Sequence, residues 1–330
     1  MSYFLHLAFR KTGLNLFQAM VLKNRLSEVP FKKSIVMKNF YLLIAFFCVL
    51  QDGYPQNRIL QQGKEPHYKD IVYATVDTTS LKLDIYLPEQ GRKPYPVVVW
   101  IHGGAWSAGS KEKPQGIFLL KEGYALVSIN YRLSQQAVFP AQIYDCKGAI
   151  RWIKANADKY NFNPKKIGVM GSSAGGHLVA MLGVTGDVPE LEGTIGDNTK
   201  FNSKVNAVCD WFGPANLITM GDYPSGMNHR NANSPEGRLI GGAILENREK
   251  ALNASPVSYA SKTDPAFLIL HGTKDNTVPF HQSVELDSTL RAAGVKVIFK
   301  PVKDAGHGGP EFNAPEVQKL IVDFFNKLLR

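Results

Sequence analysis

The chain has 330 residues, of which 44% are apolar, 20% charged and 11% aromatic. This composition is typical of a globular protein and excludes a largely disordered chain. The formal net charge of +10 would suit a nucleic-acid partner, but residues 1–50 alone hold seven Lys and Arg against one acid, a net +6. The other charges are scattered, with no basic run and no basic stripe with interleaved aromatic residues. We therefore expect no nucleic-acid partner.

An unbroken apolar run at residues 40–50 follows a basic patch at residues 32–38. The run is far shorter than the roughly 20 residues of a membrane-spanning helix, so we expect no stable membrane span. It fits the apolar region of a secretory signal peptide between residues 37 and 50, although no small-residue cleavage site is evident. We therefore expect residues 1–50 to be a basic segment with an apparent signal, and the protein to be periplasmic or secreted. An N-terminal apolar helix packed on the domain is the alternative.

The chain beyond residue 50 alternates between strand-like and helix-like segments. Strand composition occurs at residues 68–75, 80–87, 96–101, 124–129, 166–170, 204–209, 266–270 and 295–301. Helical spacing of apolar residues occurs at residues 141–159, 174–183, 281–293 and 315–329. The alternation predicts an α/β domain over residues 68–330, with a mostly parallel central sheet and helices on both faces. Residues 51–67 are expected to be a linker, and residues 214–264 an irregular cap or lid.

Residues 171–175 have the sequence GSSAG, which matches the pattern G-x-S-x-G with Ser173 at its centre. The pattern alone is weak, but here it follows a predicted strand and opens a predicted helix, the setting in which such a serine is a nucleophile. The flanking glycines allow a sharp turn that exposes the serine oxygen, and the helix N-terminus favours negative charge nearby. We predict that Ser173 is the nucleophile; the alternative is an ordinary serine in a glycine-rich turn.

Residues 102–106, with the sequence HGGAW, directly follow the third predicted strand. When a serine attacks an acyl group, the carbonyl oxygen becomes negative, and preorganised backbone N–H groups stabilise that charge by a few kcal/mol. Adjacent glycines let the backbone approach this oxygen closely, and His102 is then expected to order the loop. The predicted oxyanion hole consists of Gly103, Gly104, Ala105 and Ala174. A plain strand-to-loop turn is the alternative.

The acid and the base are expected in loops that follow late strands. Asp275 follows the strand predicted at residues 266–270, and His307 follows the strand predicted at residues 295–301. The chain order Ser173, Asp275, His307 is the one expected for the α/β-hydrolase fold. Asp304 and Glu311 are weaker alternatives for the acid, and His271 and His177 are expected to be structural.

No metal or other cofactor is expected. The chain has no H-E-x-x-H motif, no Cys/His cluster and no Walker-type loop. Its three cysteines, Cys48, Cys146 and Cys209, are too few for a disulfide framework in a chain of this size. We expect Cys146 and Cys209 to be free, part-buried thiols.

Seven segments between about residues 68 and 328 resemble bacterial esterase/lipase-like hydrolases related to bifunctional feruloyl and acetyl-xylan esterases. They are HGGAW at 102–106, NYRL at 130–133, GSSAGGH at 171–177, DWFGP at 210–214, LIGG at 239–242, ASPVSY at 254–259 and DPAFLILHG at 264–272. The resemblance implies a serine carboxylesterase that acts on short-chain or hydroxycinnamoyl esters of polysaccharides. One departure is Ala105, where many relatives have a third glycine.

The sequence predicts the substrate pocket and the class of bond that is cleaved less specifically than the triad. Trp106 and Trp211 are expected to line the pocket, whereas Phe212 fits the pocket and the core equally well. The H-G-G-x-W form also resembles kynurenine formamidases, so an amidase is an alternative function. A catalytically silent binding module is another, although no member of the predicted triad is missing.

Overall fold

The structure is a computed structural model that describes residues 64–330. The predicted signal segment and most of the predicted linker lie outside the described residues. Within residues 64–330, no helix is long and apolar enough to cross a membrane.

Eight strands form a single sheet in the order β1-β2-β4-β3-β5-β6-β7-β8. The strands are β1 (Tyr68–Val76), β2 (Thr79–Tyr86), β3 (Tyr95–Ile101), β4 (Ala125–Ile129), β5 (Phe162–Ser172), β6 (Ala207–Trp211), β7 (Ala266–Gly272) and β8 (Val297–Val302). The β1–β2 and β2–β4 pairs are antiparallel, and the other pairs are parallel. The mostly parallel sheet confirms the predicted fold class.

Seven α-helices connect or flank the strands of residues 64–330. They are α1 (Ala141–Ala155), α2 (Ala157–Tyr160), α3 (Ala174–Val184), α4 (Pro235–Ile240), α5 (Arg248–Asn253), α6 (His281–Ala292) and α7 (Pro315–Leu329). The helix expected over residues 141–159 is divided at Asn156, whose side-chain amide donates to the carbonyl of Trp152 at 2.9 Å and ends α1.

The sixth strand lies slightly later than its composition predicts, at Ala207–Trp211 instead of residues 204–209. Asn206 explains the difference, because its side-chain oxygen accepts the N–H of Ile167 at 2.9 Å and occupies the position of a strand partner. The strand ends at Trp211, directly before Phe212, at the edge of the sheet where the candidate site lies.

Each face of the sheet has its own hydrophobic core. Side chains alternate along the central strand β3: Val97 and Val99 contribute to the core beneath α1, α3 and α6, and Val98 and Trp100 to the core beneath α7. Because β3 has helices on both faces, its residues form a continuous apolar run. The carboxyl ends of the parallel strands share one edge, which brings together the loops that follow them.

The insertion at residues 214–264 contains α4 and α5 and packs beside the sheet. Its residues Asn216 and Thr219 bind Glu285 of α6, and the carbonyl of Ala254 accepts a hydrogen bond from His177 of α3.

Cys146 and Cys209 are free, but they are fully buried, not part-buried as the sequence suggested. A buried thiol behaves as a small apolar side chain, and burial raises the pKa of both thiols.

Asp210 carries a carboxyl group into the centre of the sheet near the carboxyl end of β6. Its side chain is fully buried, and Oδ1 accepts the N–H of Gly213 at 2.9 Å. Oδ2 has no hydrogen-bond partner among residues 64–330. Burial raises the pKa of Asp210 to about 7, and the Gly213 N–H opposes this only in part. The buried acid therefore retains its proton in mildly acidic solution.

We expect Asp210→Asn to remove a pH-dependent part of the stability. Between about pH 4 and pH 7 the folded state keeps a proton that the unfolded chain has lost, so the free energy of unfolding falls as pH rises, by at most about 1.4 kcal/mol per pH unit from this group. The amide of the variant does not titrate. Urea unfolding at pH 5, 6, 7 and 8 should show the stability of the variant improving relative to the wild type as pH rises. A difference between the two proteins that is constant with pH contradicts this assignment.

Candidate active site

Ser173 lies in the turn between β5 and α3, with φ of 55° and ψ of −120°. This left-handed backbone is uncommon for a residue with a side chain. The N–H of Ser173 donates to the carbonyl of Trp211 at 2.9 Å, which ties the turn to β6. A Cβ on Gly175 would lie 2.1 Å from the carbonyl oxygen of Ile101, so only glycine lets the start of α3 pack this closely against β3. The turn places the Ser173 hydroxyl at the edge of the sheet.

Ser173, His307 and Asp275 form a continuous hydrogen-bond chain, although 134 residues separate the serine from the histidine. His307 Nε2 lies 2.9 Å from Ser173 Oγ, and His307 Nδ1 lies 2.7 Å from Asp275 Oδ2. Because a carboxylate can only accept, Nδ1 carries the proton and Nε2 is left free to accept one from the serine. The structure thus brings together the three residues that the sequence analysis predicted as nucleophile, base and acid.

Three hydrogen bonds and a nearby histidine favour the carboxylate form of Asp275. The N–H groups of Thr277 and Val278 donate to Oδ1 at 2.8 and 2.9 Å, and His307 Nδ1 donates to Oδ2 at 2.7 Å. His271 Nε2, which bonds to the carbonyl of Val278 at 3.0 Å, lies 3.3 Å from Oδ2. Burial alone would raise the pKa of Asp275, but the close His271 and the hydrogen bonds from His307 and the Thr277 N–H lower it well below its usual range. Asp275 therefore carries a negative charge at neutral pH, next to the ring that takes up a proton in the reaction.

The alternative acids and bases lie elsewhere. Asp304 is exposed and pairs with Lys274 at 2.8 Å. His271 is fully buried behind Asp275, and its Nδ1 lies 2.7 Å from Ser283 Oγ. His102 bonds through Nδ1 to the carbonyl of Gly103 at 2.7 Å and stacks on Tyr131 of the loop that follows β4. Neither histidine lies beside the Ser173 hydroxyl.

The loop after β3 lies against the serine. A Cβ on Gly103 would lie 2.7 Å from the carbonyl oxygen of Ser172, so the glycine permits a backbone contact that no larger residue allows. Within residues 64–330, the N–H groups of all four residues predicted for the oxyanion hole, Gly103, Gly104, Ala105 and Ala174, have no hydrogen-bond acceptor. Unpaired N–H groups on both sides of a serine nucleophile are the donors that an oxyanion hole requires.

A cavity of about 460 Å³ opens above the Ser173 hydroxyl. Three aromatic side chains, Trp211, Phe212 and Phe312, form one side of it, and the Phe212 ring lies 4.7 Å from the His307 ring. Trp211 lines the cavity as the sequence analysis expected. Polar side chains of Gln115, Thr277 and Asn313 complete the lining; their separate loops carry no motif, so sequence reasoning could not assign them.

Trp106 does not line this cavity, in contrast to the sequence-based expectation. Its side chain is 1% exposed and points into the core, where Nε1 donates to His177 Nδ1 at 3.1 Å. The backbone of Trp106 has φ of 53°, and this turn directs the indole inwards instead of towards the serine.

No residue of the insertion at 214–264 lines the catalytic cavity, so the described structure does not have the lid that the sequence analysis allowed. The insertion instead contributes Ile240, Lys250, Asn253 and Tyr259 to a second cavity of about 500 Å³. None of the predicted triad residues lines that cavity, so we place the chemistry in the cavity above Ser173.

Comparisons with known proteins find similarity to esterases, in agreement with the geometry of the site. The BD-FAE family model matches residues 83–290, which is more than half of the chain. Esterase LipC of Mycobacterium tuberculosis is 30% identical over 255 residues, which are 76% of this chain and 61% of LipC. The matched region spans 61% of LipC and only 45–50% of two further mycobacterial relatives, LipQ and LipM.

Two solved structures are similar over the same region. A truncated carbohydrate esterase from gut microbiota is 37% identical with a TM-score of 0.74, covering 80% of this chain and 99% of that protein. Esterase 2 of Thermogutta terrifontis, solved with propionate bound, is 28% identical with a TM-score of 0.65, covering 79% of this chain and 94% of that protein. The fold, the hydrogen-bonded serine and these similarities together show that the chain belongs to the BD-FAE family of the α/β-hydrolase fold.

Proposed function

We propose that this chain is a serine carboxylesterase that hydrolyses short-chain or hydroxycinnamoyl esters of carbohydrates. The observation that carries the proposal is the hydrogen-bond chain from Ser173 Oγ through His307 to Asp275 at an open cavity. The similarity to proteins named esterases supports the reaction class, and the similarity to a carbohydrate esterase supports the substrate class.

In the proposed reaction, His307 Nε2 takes the proton of the Ser173 hydroxyl as Oγ attacks the ester carbonyl. Asp275 remains ionised and stabilises the imidazolium that forms. N–H groups from Gly103 to Ala105 and of Ala174 stabilise the oxyanion, and His307 then gives its proton to the departing alcohol. Water attacks the acyl-enzyme with His307 again as the base, which releases the acid and restores the serine.

The cavity supports the choice of substrate. Its aromatic side can pack against an acyl group or a hydroxycinnamoyl ring, and its open side leaves room for a bulky alcohol. Gln115 and Asn313 are exposed residues of the cavity lining, and no hydrogen bond of their side-chain amides is found within residues 64–330. Amide groups in this position can donate to and accept from sugar hydroxyls.

Substitutions in the triad test the reaction class. We expect Ser173→Ala and His307→Ala to lower kcat by at least about 10⁴-fold, because each removes the attack or the proton transfer. Asp275→Asn should lower kcat by about 10³- to 10⁴-fold, because the amide favours the wrong tautomer of His307. Hydrolysis of p-nitrophenyl acetate measures the loss, and circular dichroism shows whether each variant is folded. Near wild-type turnover by Ser173→Ala would overturn the proposal.

A substrate panel tests the class of bond and the acyl group. We expect higher kcat/KM for acetyl and butyryl aryl esters than for dodecanoyl esters, because the cavity above Ser173 has a volume of only about 460 Å³. Acetylated xylan and methyl ferulate should also be hydrolysed. A higher kcat/KM for N-formylkynurenine than for every ester would make the protein an amidase, and a preference for dodecanoyl esters would make it a lipase.

Substitutions at the opening test the carbohydrate part of the proposal. We expect Gln115→Leu and Asn313→Leu each to lower kcat/KM for acetylated xylo-oligosaccharides about 3- to 10-fold, the effect of losing one hydrogen bond. Turnover of p-nitrophenyl acetate, which has no sugar, should change less than twofold. Gln318→Leu on α7, away from the cavity, is the matched control. Equal losses on both substrates would contradict a role in sugar recognition.

A further inference from the structure

The loop that supplies the predicted oxyanion donors has an unusual backbone. Gly104, Ala105 and Trp106 all have positive φ, at 115°, 54° and 53°. Ala105 and Trp106 carry side chains, and a left-handed conformation is unfavourable for both. Contacts elsewhere must therefore hold this loop in place, because it would otherwise relax and move its N–H groups away from the serine.

The side chain of Trp106 provides one such contact. The indole is buried, its Nε1 donates to His177 Nδ1 at 3.1 Å, and the two rings meet edge to face with centroids 5.1 Å apart. The backbone of Trp106 is fixed as well, since its carbonyl accepts the N–H of Ser134 at 2.7 Å.

His177 is itself fixed from three directions. It lies one turn along α3 from the nucleophile, and its N–H donates to the carbonyl of Ser173 at 2.9 Å. Its ring is fully buried, and Nε2 donates to the carbonyl of Ala254 in the insertion at 2.7 Å. Donation from Nε2 leaves Nδ1 as the acceptor that the Trp106 indole requires. Burial lowers the pKa of His177 to about 4, with the Ala254 carbonyl opposing in part, so this neutral tautomer persists at neutral pH.

We propose that His177 is a positioning residue for the oxyanion hole, because it joins Trp106 of the oxyanion loop to Ala254 of the insertion and to the nucleophile helix. It does not touch the substrate. It fixes the strained turn from Gly104 to Trp106 relative to Ser173, so that the loop N–H groups stay aimed at the oxyanion. The insertion therefore supports the site from behind the nucleophile helix. This inference rests on the esterase function proposed above.

Trp106→Phe and His177→Gln test the proposal while keeping, respectively, an aromatic ring and a polar side chain at these positions. Phenylalanine keeps an aromatic ring but lacks the Nε1 donor, whereas glutamine offers an acceptor and a donor that can partly replace both bonds of the imidazole. A loosened oxyanion hole weakens the transition state more than the bound substrate. We expect Trp106→Phe and His177→Leu to lower kcat about 10- to 100-fold with KM changed less than threefold, and His177→Gln to recover part of the loss.

An aryl trifluoromethyl ketone separates positioning from general destabilisation. Ser173 Oγ adds to its carbonyl carbon, and the carbonyl oxygen becomes an oxyanion. Its inhibition constant should therefore rise in Trp106→Phe and His177→Leu by about the factor by which kcat/KM falls. The double variant Trp106→Phe/His177→Leu should lose no more kcat than the more impaired of the two single variants, because both substitutions break the same hydrogen bond. Leu182→Ala, a buried substitution later in α3, is the matched control. It should lower the melting temperature and leave kcat per folded molecule and the inhibition constant unchanged.

Two results would overturn the proposal. One is a lower melting temperature in Trp106→Phe and His177→Leu with kcat and the inhibition constant within twofold of the wild type. The other is a double variant whose loss equals the product of the two single losses. A wild-type protein that hydrolyses no ester would instead refute the proposed function, so the two failures are distinguishable.

Discussion

The left-handed backbone of Ser173 is the constraint on which the rest of the site depends. A non-glycine residue in such a conformation costs of order 1–3 kcal/mol, so the surrounding fold must stabilise it. The stabilisation comes from the sheet: β5 leads into the turn, the carbonyl of Trp211 accepts the Ser173 N–H, and Gly175 lets α3 pack against the end of β3. Since these contacts come from three neighbouring parallel strands, the turn can exist only where their carboxyl ends meet.

The environment of each carboxyl group near this turn determines its charge. Asp275 and Asp210 are both buried at the same end of the sheet. Asp275 accepts bonds from two backbone N–H groups and from His307, with His271 close by, so its ionised form is favoured. Asp210 accepts one N–H from Gly213, and burial keeps it protonated in mild acid. The number of donors around each group decides which one can support a cationic histidine.

The reacting atoms themselves remain open to solvent, while the groups behind them are enclosed. The insertion after β6 packs against α3 and α6 and leaves the catalytic cavity uncovered. His177 and Trp106 are buried between the insertion and the oxyanion loop. A rigid enclosed support behind an open cavity suits an enzyme that must hold its donors precisely and still admit a large alcohol group. It also explains why an aromatic residue next to the oxyanion loop need not contact substrate.

The sequence by itself determined the fold class and the order Ser173, Asp275, His307, because short motifs at strand ends fix local backbone geometry and parallel strands bring their carboxyl ends together. It also gave good bounds for the helices that flank the sheet, except where the Asn156 side chain ended α1, but it missed the short helices α4 and α5 of the insertion. Only the tertiary structure decided that Trp106 points into the core, that the insertion lies beside the cavity, and that Gln115 and Asn313 reach the opening. These outcomes depend on contacts between residues far apart in the chain, and no local pattern encodes such contacts.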